Sequence, residues 1–177
     1  SGIVALARVL APNLETVVAA GTPQLMLVLD AVQDPGNVGA IIRTAEACGG
    51  TAVIAGPGTA DPLGWKVLRG SMGSACRVPS ASTTEAKAVI QAIRRAGVRM
   101  FAMVPRGGQP LPGTNLVEPS AILLGGEGAG LSRELLDNVD ERLTIEMRPP
   151  VESLNVSVAA ALVLYEASRQ RSHVAVR

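Results

Sequence analysis

The stretch Leu29-Asp30-Ala31-Val32-Gln33-Asp34-Pro35-Gly36-Asn37-Val38-Gly39-Ala40-Ile41-Ile42-Arg43-Thr44-Ala45 decides the fold, because it passes from strand through a polar turn into a helix. The apolar run Leu25 to Leu29 precedes it, Asp34-Pro35-Gly36 supplies the turn, and apolar residues then recur at helical spacing as far as Cys48, where Gly49-Gly50 stops the helix. Asn37, just after the turn, stands where a helix cap is expected. The same alternation continues along the chain. Further strand-like runs are Thr51 to Ala55, Val98 to Val104, Ala121 to Leu124 and Arg142 to Met147. Helix-like runs are Val38 to Cys48, Thr84 to Ala96, Leu131 to Asn138 and Val156 to Gln170, and Ser82 to Glu85 reads as a capping box for the second of these. Apolar strands alternating with helices predict a mainly parallel sheet covered on both faces, a three-layer α/β fold.

With 177 residues, 47% of them hydrophobic, the chain suits one domain with a substantial core. No apolar stretch reaches the ~18 residues that a membrane-spanning helix requires. Two cysteines, Cys48 and Cys76, are too few for a disulfide framework, and no signal segment opens the chain, so a reducing, cytoplasmic setting is expected. Residues 1–22, with Pro12-Asn13 and Gly21-Thr22-Pro23, read as an irregular lead-in or linker from an upstream domain, and residues 23–177 as the globular domain. A net charge of +1 gives no global signal for nucleic acid. Arg69, Arg77, Arg94, Arg95, Arg99 and Arg106 crowd the middle third, either as a patch or as solvated helix faces. Trp65, Phe101 and Tyr165 are the only aromatics, too few to predict a stacking platform for bases.

Three polar segments are candidates for chemistry. In the first, Asn37 and Arg43 are six residues apart, which turns them ~120° from each other on a helix of ~3.6 residues per turn. They still could border one cavity at the strand ends. The second, Leu124-Gly125-Gly126-Glu127-Gly128-Ala129-Gly130-Leu131-Ser132, sets four glycines and a carboxylate between strand and helix. Its glycines permit close approach to a ligand, but Gly130 is not followed by the Lys and Ser or Thr of a P-loop, and GxGxxG spacing is absent. The third, Ile145-Glu146-Met147-Arg148-Pro149-Pro150-Val151-Glu152-Ser153-Leu154-Asn155-Val156-Ser157, leads into an alanine-rich helix that Ser153 or Asn155 can cap. Taken singly, each segment is equally well read as caps and loops.

In this order, the three segments resemble the motifs of the SpoU (TrmH-like) branch of the SPOUT methyltransferases, over roughly residues 20 to 172. Asn37-x-Gly39 with Arg43-Thr44-Ala45 looks like the first motif, Gly125-x-Glu127-Gly128-x-Gly130-Leu131 the second and Ser153-Leu154-Asn155-Val156-Ser157 the third. Arg69-Gly70-Ser71-Met72-Gly73 looks like the family's substrate-side segment. The resemblance implies a C-terminal deep trefoil knot, an exception to the unknotted rule. It further implies a homodimer formed through the first-motif and C-terminal helices. S-adenosylmethionine would bind against Met103, Val104, Gly125, Gly126, Ile145, Met147 and Leu154.

The implied activity is methyl transfer to a ribose 2′-hydroxyl of RNA. Arg43, Asn37, Glu127, Ser153 and Asn155 would be catalytic, and Arg43, Arg69 and Ser71 would contact substrate. A guanidinium stays protonated at neutral pH and is no base there, so Arg43 is expected to hold the adjacent phosphate and stabilise developing alkoxide. No metal is expected, since His173 is the sole histidine. Gly2-Ile3-Val4-Ala5-Leu6-Ala7 resembles the join to an N-terminal RNA-binding domain in rRNA-directed members, which favours rRNA over tRNA. A non-catalytic RNA-binding module and a regulatory small-nucleotide binder are the alternatives.

Overall fold

The computed structural model describes residue 2, residues 12–22 and residues 24–174. Its centre is a seven-stranded, all-parallel sheet: β1 (Leu25–Asp30), β2 (Ala52–Ala55), β3 (Ser80–Ser82), β4 (Arg99–Met103), β5 (Gln109–Pro110), β6 (Ser120–Gly125) and β7 (Glu141–Thr144). The spatial order is β3-β2-β1-β6-β4-β7-β5. The chain first winds outward from β1 to β3, then crosses to the other side, and β6 inserts between β1 and β4. The register runs from Leu25 opposite Ser120 to Asp30 opposite Gly125, so the ends of β1 and β6 meet.

Helices α1 (Leu14–Val18), α2 (Pro35–Ala47), α3 (Trp65–Gly70), α4 (Ala86–Arg95), α5 (Arg133–Leu136) and α6 (Val156–Val174) cover the sheet. Side chains of a strand alternate between faces, and the two cores follow that alternation. Leu25, Leu27, Leu29, Phe101, Ile122 and Leu124 pack with Val38, Ile41 and Ile42 of α2, Val67 of α3 and Ala160, Val163 and Leu164 of α6. Met26, Val28, Ile54, Met100 and Leu123 pack on the opposite face with Val17 of α1, Val89 and Ile93 of α4 and Leu135 of α5. The expected three-layer α/β architecture is therefore present.

Several boundaries differ from the sequence reading. The strand expected to reach Met147 ends at Thr144, leaving Ile145 and Met147 off the sheet. Helix α2 begins at Pro35, not Val38, because Asp34 is its cap and accepts from the Asn37 backbone N–H at 2.8 Å. The capping box at Ser82 to Glu85 does not form. Helix α4 starts at Ala86 without a side-chain cap bond, and the hydroxyl of Thr83 holds the Glu85 N–H instead. The helix expected over Leu131 to Asn138 is a single turn, Arg133–Leu136. Short elements β3, β5 and α3 gave no periodic signal. The expected irregular lead-in contains α1, capped by Asn13, with Val17 and Val18 buried in the core. Residues 1, 3–11 and 23, to which much of the linker reading applied, lie outside the described residues.

Five of the six arginines of the middle third engage partners within the described residues. Arg77 pairs with Glu46, Arg95 with Glu15 and Arg99 with Glu141, Arg94 donates to the Asn138 carbonyl, and Arg69 stacks on Trp65. Among the described residues, no helix is long and apolar enough to cross a membrane.

Candidate active site

The carboxyl ends of β1, β4, β6 and β7 converge where strand order reverses, the place where open α/β sheets bind ligands. Several clefts open there, and two of them, lined between them by residues of all three segments, share a wall. One, of roughly 270 Å³, is lined by Met103, Val104 and Pro105 at and beyond the end of β4, Leu124 to Gly128 and Gly130 at and beyond the end of β6, Ile145 and Met147 after β7, Ser153 and Leu154 before α6, and Val156 and Ala159 in its first turn. All seven residues expected to hold a cofactor stand in this wall. Ile145 and Met147 reach it because β7 stops short. The second cleft, about 350 Å³, is bounded by Ala31 to Asp34, Asn37, Gly126, Glu127, Ala129 and Val156. Gly126, Glu127 and Val156 belong to both, so Glu127 stands on the partition.

Three side chains from the three segments meet at that partition. Asn37 donates through Nδ2 to Oε1 of Glu127 at 3.1 Å. Asn155 donates through Nδ2 to the same Oε1 and to Oδ1 of Asn37, both at 3.2 Å. Oδ1 of Asn155 meanwhile caps α6, accepting from the Ser157 N–H at 2.9 Å and its hydroxyl at 2.6 Å. The sequence allowed these asparagines either capping or ligand roles. Asn37 is relieved of capping by Asp34, and Asn155 caps with its oxygen while its nitrogen holds the carboxylate. Oε2 of Glu127 accepts no hydrogen bond among the described residues, which leaves it for a ligand.

The glycine loop owes its path to close backbone contact. A Cβ on Gly126 would sit 2.0 Å from the Ala31 carbonyl oxygen, and Ala31 itself has a left-handed φ of 55°. Asp30, almost wholly buried, ties both ends of this loop. Its carbonyl accepts from the Gly126 N–H and its carboxylate from the Ser132 N–H, each at 2.7 Å. Sequence reasoning passed over Asp30, although an acid closing an otherwise apolar strand was the available signal.

The remaining expected residues are dispersed. Ser153 lines the first cleft. Arg43 lies on the exposed side of α2, outside both clefts, without a hydrogen bond or ion pair among the described residues. The ~120° rotation from Asn37 accounts for this. Arg69 is exposed on α3. Ser71 is fully buried: its hydroxyl donates to the Leu68 carbonyl and accepts from the Ala75 N–H. Helix α3 nonetheless adjoins the first segment, since a Cβ on Gly39 would lie 2.9 Å from the Gly70 carbonyl carbon. Among the described residues, no cluster of three or more His, Cys, Asp or Glu could hold a metal ion.

Known proteins share the sequence pattern and the fold. The model of the SpoU rRNA Methylase family matches residues 24–165. The chain is 38% identical over 144 residues to the 23S rRNA (guanosine(2553)-2′-O)-methyltransferase RlmP of Bacillus subtilis, covering 81% of this chain and 58% of that protein. It is also 38% identical over 152 residues to the 23S rRNA (guanosine-2′-O-)-methyltransferase RlmB of Ralstonia nicotianae, covering 86% and 61%. The crystal structure of the SpoU methyltransferase AviRb from Streptomyces viridochromogenes, in complex with AdoMet, superposes with a TM-score of 0.86 at 30% identity, covering 92% of this chain and 66% of that one. The chain thus spans about three fifths of the length of these two curated relatives.

Proposed function

This chain belongs to the SpoU rRNA methylase family, and on that footing we propose that it is the catalytic part of an S-adenosylmethionine-dependent methyltransferase acting on a ribose 2′-hydroxyl of RNA. The observation that carries the reading is the meeting of Asn37, Glu127 and Asn155 on the partition between two clefts. Two reactants must approach along one line, and a shared wall with one fixed carboxylate is suited to that.

The first cleft fits the methyl donor. Met103, Leu124, Ile145 and Leu154 offer apolar walls for a purine ring, while Gly125 and Gly126 leave room for backbone groups to contact it. When bound, S-adenosylmethionine supplies an electrophilic methyl on a sulfonium. The 2′-oxygen forms the new O–CH₃ bond, the S–CH₃ bond breaks, and the hydroxyl proton passes to a neighbouring RNA phosphate or to water. Apolar walls favour this step because charge on sulfur is lost. Glu127, fixed through Oε1, presents Oε2 as acceptor for the ribose hydroxyl entering from the second cleft. Ser153 adds a polar contact at the cofactor side. Alignment of this kind is worth several orders of magnitude in rate. Arg43, on the outer face of α2, holds the phosphate next to the target ribose and offsets alkoxide charge.

The family resemblance supports the finer features of this reading. The segment through β7 and α6 forms the deep trefoil knot, and the protein works in the cytoplasm on rRNA, with tRNA as the alternative substrate. Two copies associate through α2 and α6. Val158, Leu162 and Tyr165 lie along one face of α6 and are exposed in the single chain, as a dimer seam requires.

Calorimetric titration with S-adenosylmethionine and with ATP, followed by labelled-methyl transfer to total rRNA and total tRNA, tests the proposal. The expected result is saturable S-adenosylmethionine binding, no ATP binding and label in 2′-O-methylribose of rRNA. Absence of S-adenosylmethionine binding would sink it.

A further inference from the structure

We infer that Trp65 and Arg69 form a stacking platform for an unpaired nucleobase of the RNA substrate. The inference rests on the RNA reading above and identifies a specificity contact outside the three motif segments. Trp65 is the chain's single tryptophan and is 63% exposed at the start of α3. The guanidinium of Arg69, one turn later, lies over its indole at 5.6 Å from the ring centre, a contact that restricts the ring's motion. Among the described residues neither side chain has an acidic partner. Lys66 is exposed on the same helix, and α3 carries no acid.

The location places the platform beside the proposed chemistry. Gly70, at the other end of α3, packs against Gly39, and the Pro35 and Gly36 carbonyls of the first turn of α2 lie close by. Trp65 is five residues from Gly70, about 7.5 Å along the helix axis. A nucleotide next to one seated at Asn37 and Glu127 would be within reach of the ring. Met72, 70% exposed, adds apolar surface beyond α3. The basic charge on α3 favours RNA as the occupant over a second copy of the chain, for which the neutral stripe Val158, Leu162 and Tyr165 of α6 is the better match.

Tryptophan emission reports on the platform directly, since Trp65 is the only source. The full chain is titrated with a short single-stranded RNA of mixed sequence and with the same RNA as a duplex, and binding is followed separately by anisotropy of a labelled strand. The single strand is expected to quench Trp65 and the duplex to leave it unchanged. Stacked bases typically contribute enough that Trp65→Ala should weaken single-strand binding about tenfold, with Trp65→Phe recovering most of it. S-adenosylmethionine affinity serves as the folding control and is expected to hold in both variants. Single-strand binding without quenching, and equal in Trp65→Ala, overturns the platform while leaving the methyltransferase reading intact. Emission that changes on dilution without RNA assigns the ring to a second copy and likewise overturns it. Failure of the unaltered chain to bind any RNA overturns both.

Discussion

Nδ2 of Asn155 lies 3.2 Å from Oε1 of Glu127, while Oδ1 of the same amide caps the helix that Asn155 precedes. One side chain therefore fixes both the start of α6 and the carboxylate between the clefts. The two duties separate by substitution. Asn155→Ser keeps an oxygen for the cap and loses the amide donor, so thermal stability should change little while methyl transfer falls roughly 10²-fold. Asn155→Ala loses both and should cost a further ~1 kcal/mol of stability. Melting curves beside single-turnover rates check this, and a serine variant with full activity would remove Asn155 from the mechanism.

The loop bearing Glu127 passes so close to Ala31 that no side chain fits at Gly126. In Gly126→Ala the new methyl meets the Ala31 carbonyl oxygen, a backbone atom, and either the loop or the end of β1 must shift. Both clefts include Gly126, so S-adenosylmethionine affinity should fall at least tenfold, together with a loss of about 1–3 kcal/mol of stability from overpacking. Gly128→Ala provides the contrast. Its φ of 89° makes it strained, but nothing lies within 4 Å of its added methyl, so it should affect stability more than affinity.

The alternation that made this fold legible is local, whereas the site is not. Leu25 to Leu29 and the helix after Asp34 announced a parallel sheet because burial on both faces leaves an unbroken apolar run. Nothing in their periodicity could tell that Asn37, Glu127 and Asn155 meet, since that depends on β6 inserting beside β1 and on α6 returning to α2. Only the ordered resemblance of three segments brought them together in advance. The short elements were missed for a related reason: β3, β5 and α3 have too few residues to establish a period. The three aromatics were judged too few for a stacking platform because a residue count measures the supply of aromatics, not the exposure of Trp65.

Arg171 anchors the far end of α6. Its Nε donates to the Leu116 carbonyl at 2.8 Å, and one terminal nitrogen donates to the carbonyls of Gln24 and Glu118, each at 2.9 Å. Gln170 adds bonds to Thr114 and Leu116. Replacing Arg171 with Ala strands carbonyls in a half-buried setting, at a cost of about 2–3 kcal/mol. For a domain of this size that corresponds to a fall in Tm of roughly 4–12 °C. Arg171→Lys should recover only part, because an ammonium lacks the planar fork that serves three acceptors.

Acid sensitivity should trace in part to Glu166. Bidentate bonding from Arg169, assisted by Gln170, holds its carboxyl down from 4.5 to about 2. A depressed folded pKa contributes stability that is present above the unfolded value and lost as pH falls from about 4.5 toward about 2. Glu46, also held near 2 by Arg77, acts in the same direction, but that pair is more exposed than Glu166 with Arg169 and contributes less. Glu166→Gln should therefore flatten the decline of Tm across that window and leave the profile above about pH 5 parallel to that of the unaltered chain. A variant whose acid limb keeps its slope would assign the sensitivity elsewhere.

Arg43 separates catalysis from folding more cleanly than the motif amides, because it bonds to nothing within the described chain. Its removal strands no partner and opens no cavity, so Arg43→Ala and Arg43→Lys should both melt within about 0.5 kcal/mol of the parent, as surface substitutions do. S-adenosylmethionine affinity should likewise hold, since Arg43 is absent from the cleft wall. Turnover should not. If the guanidinium grips a phosphate through two parallel N–H bonds and stabilises the attacking oxygen, lysine preserves charge but not the fork, and a loss of about 10²-fold or more is expected in both variants. The lysine variant is the decisive one. Near-normal turnover there would reduce Arg43 to a point charge on the RNA path, detectable as a shallower salt dependence of KM with kcat unchanged.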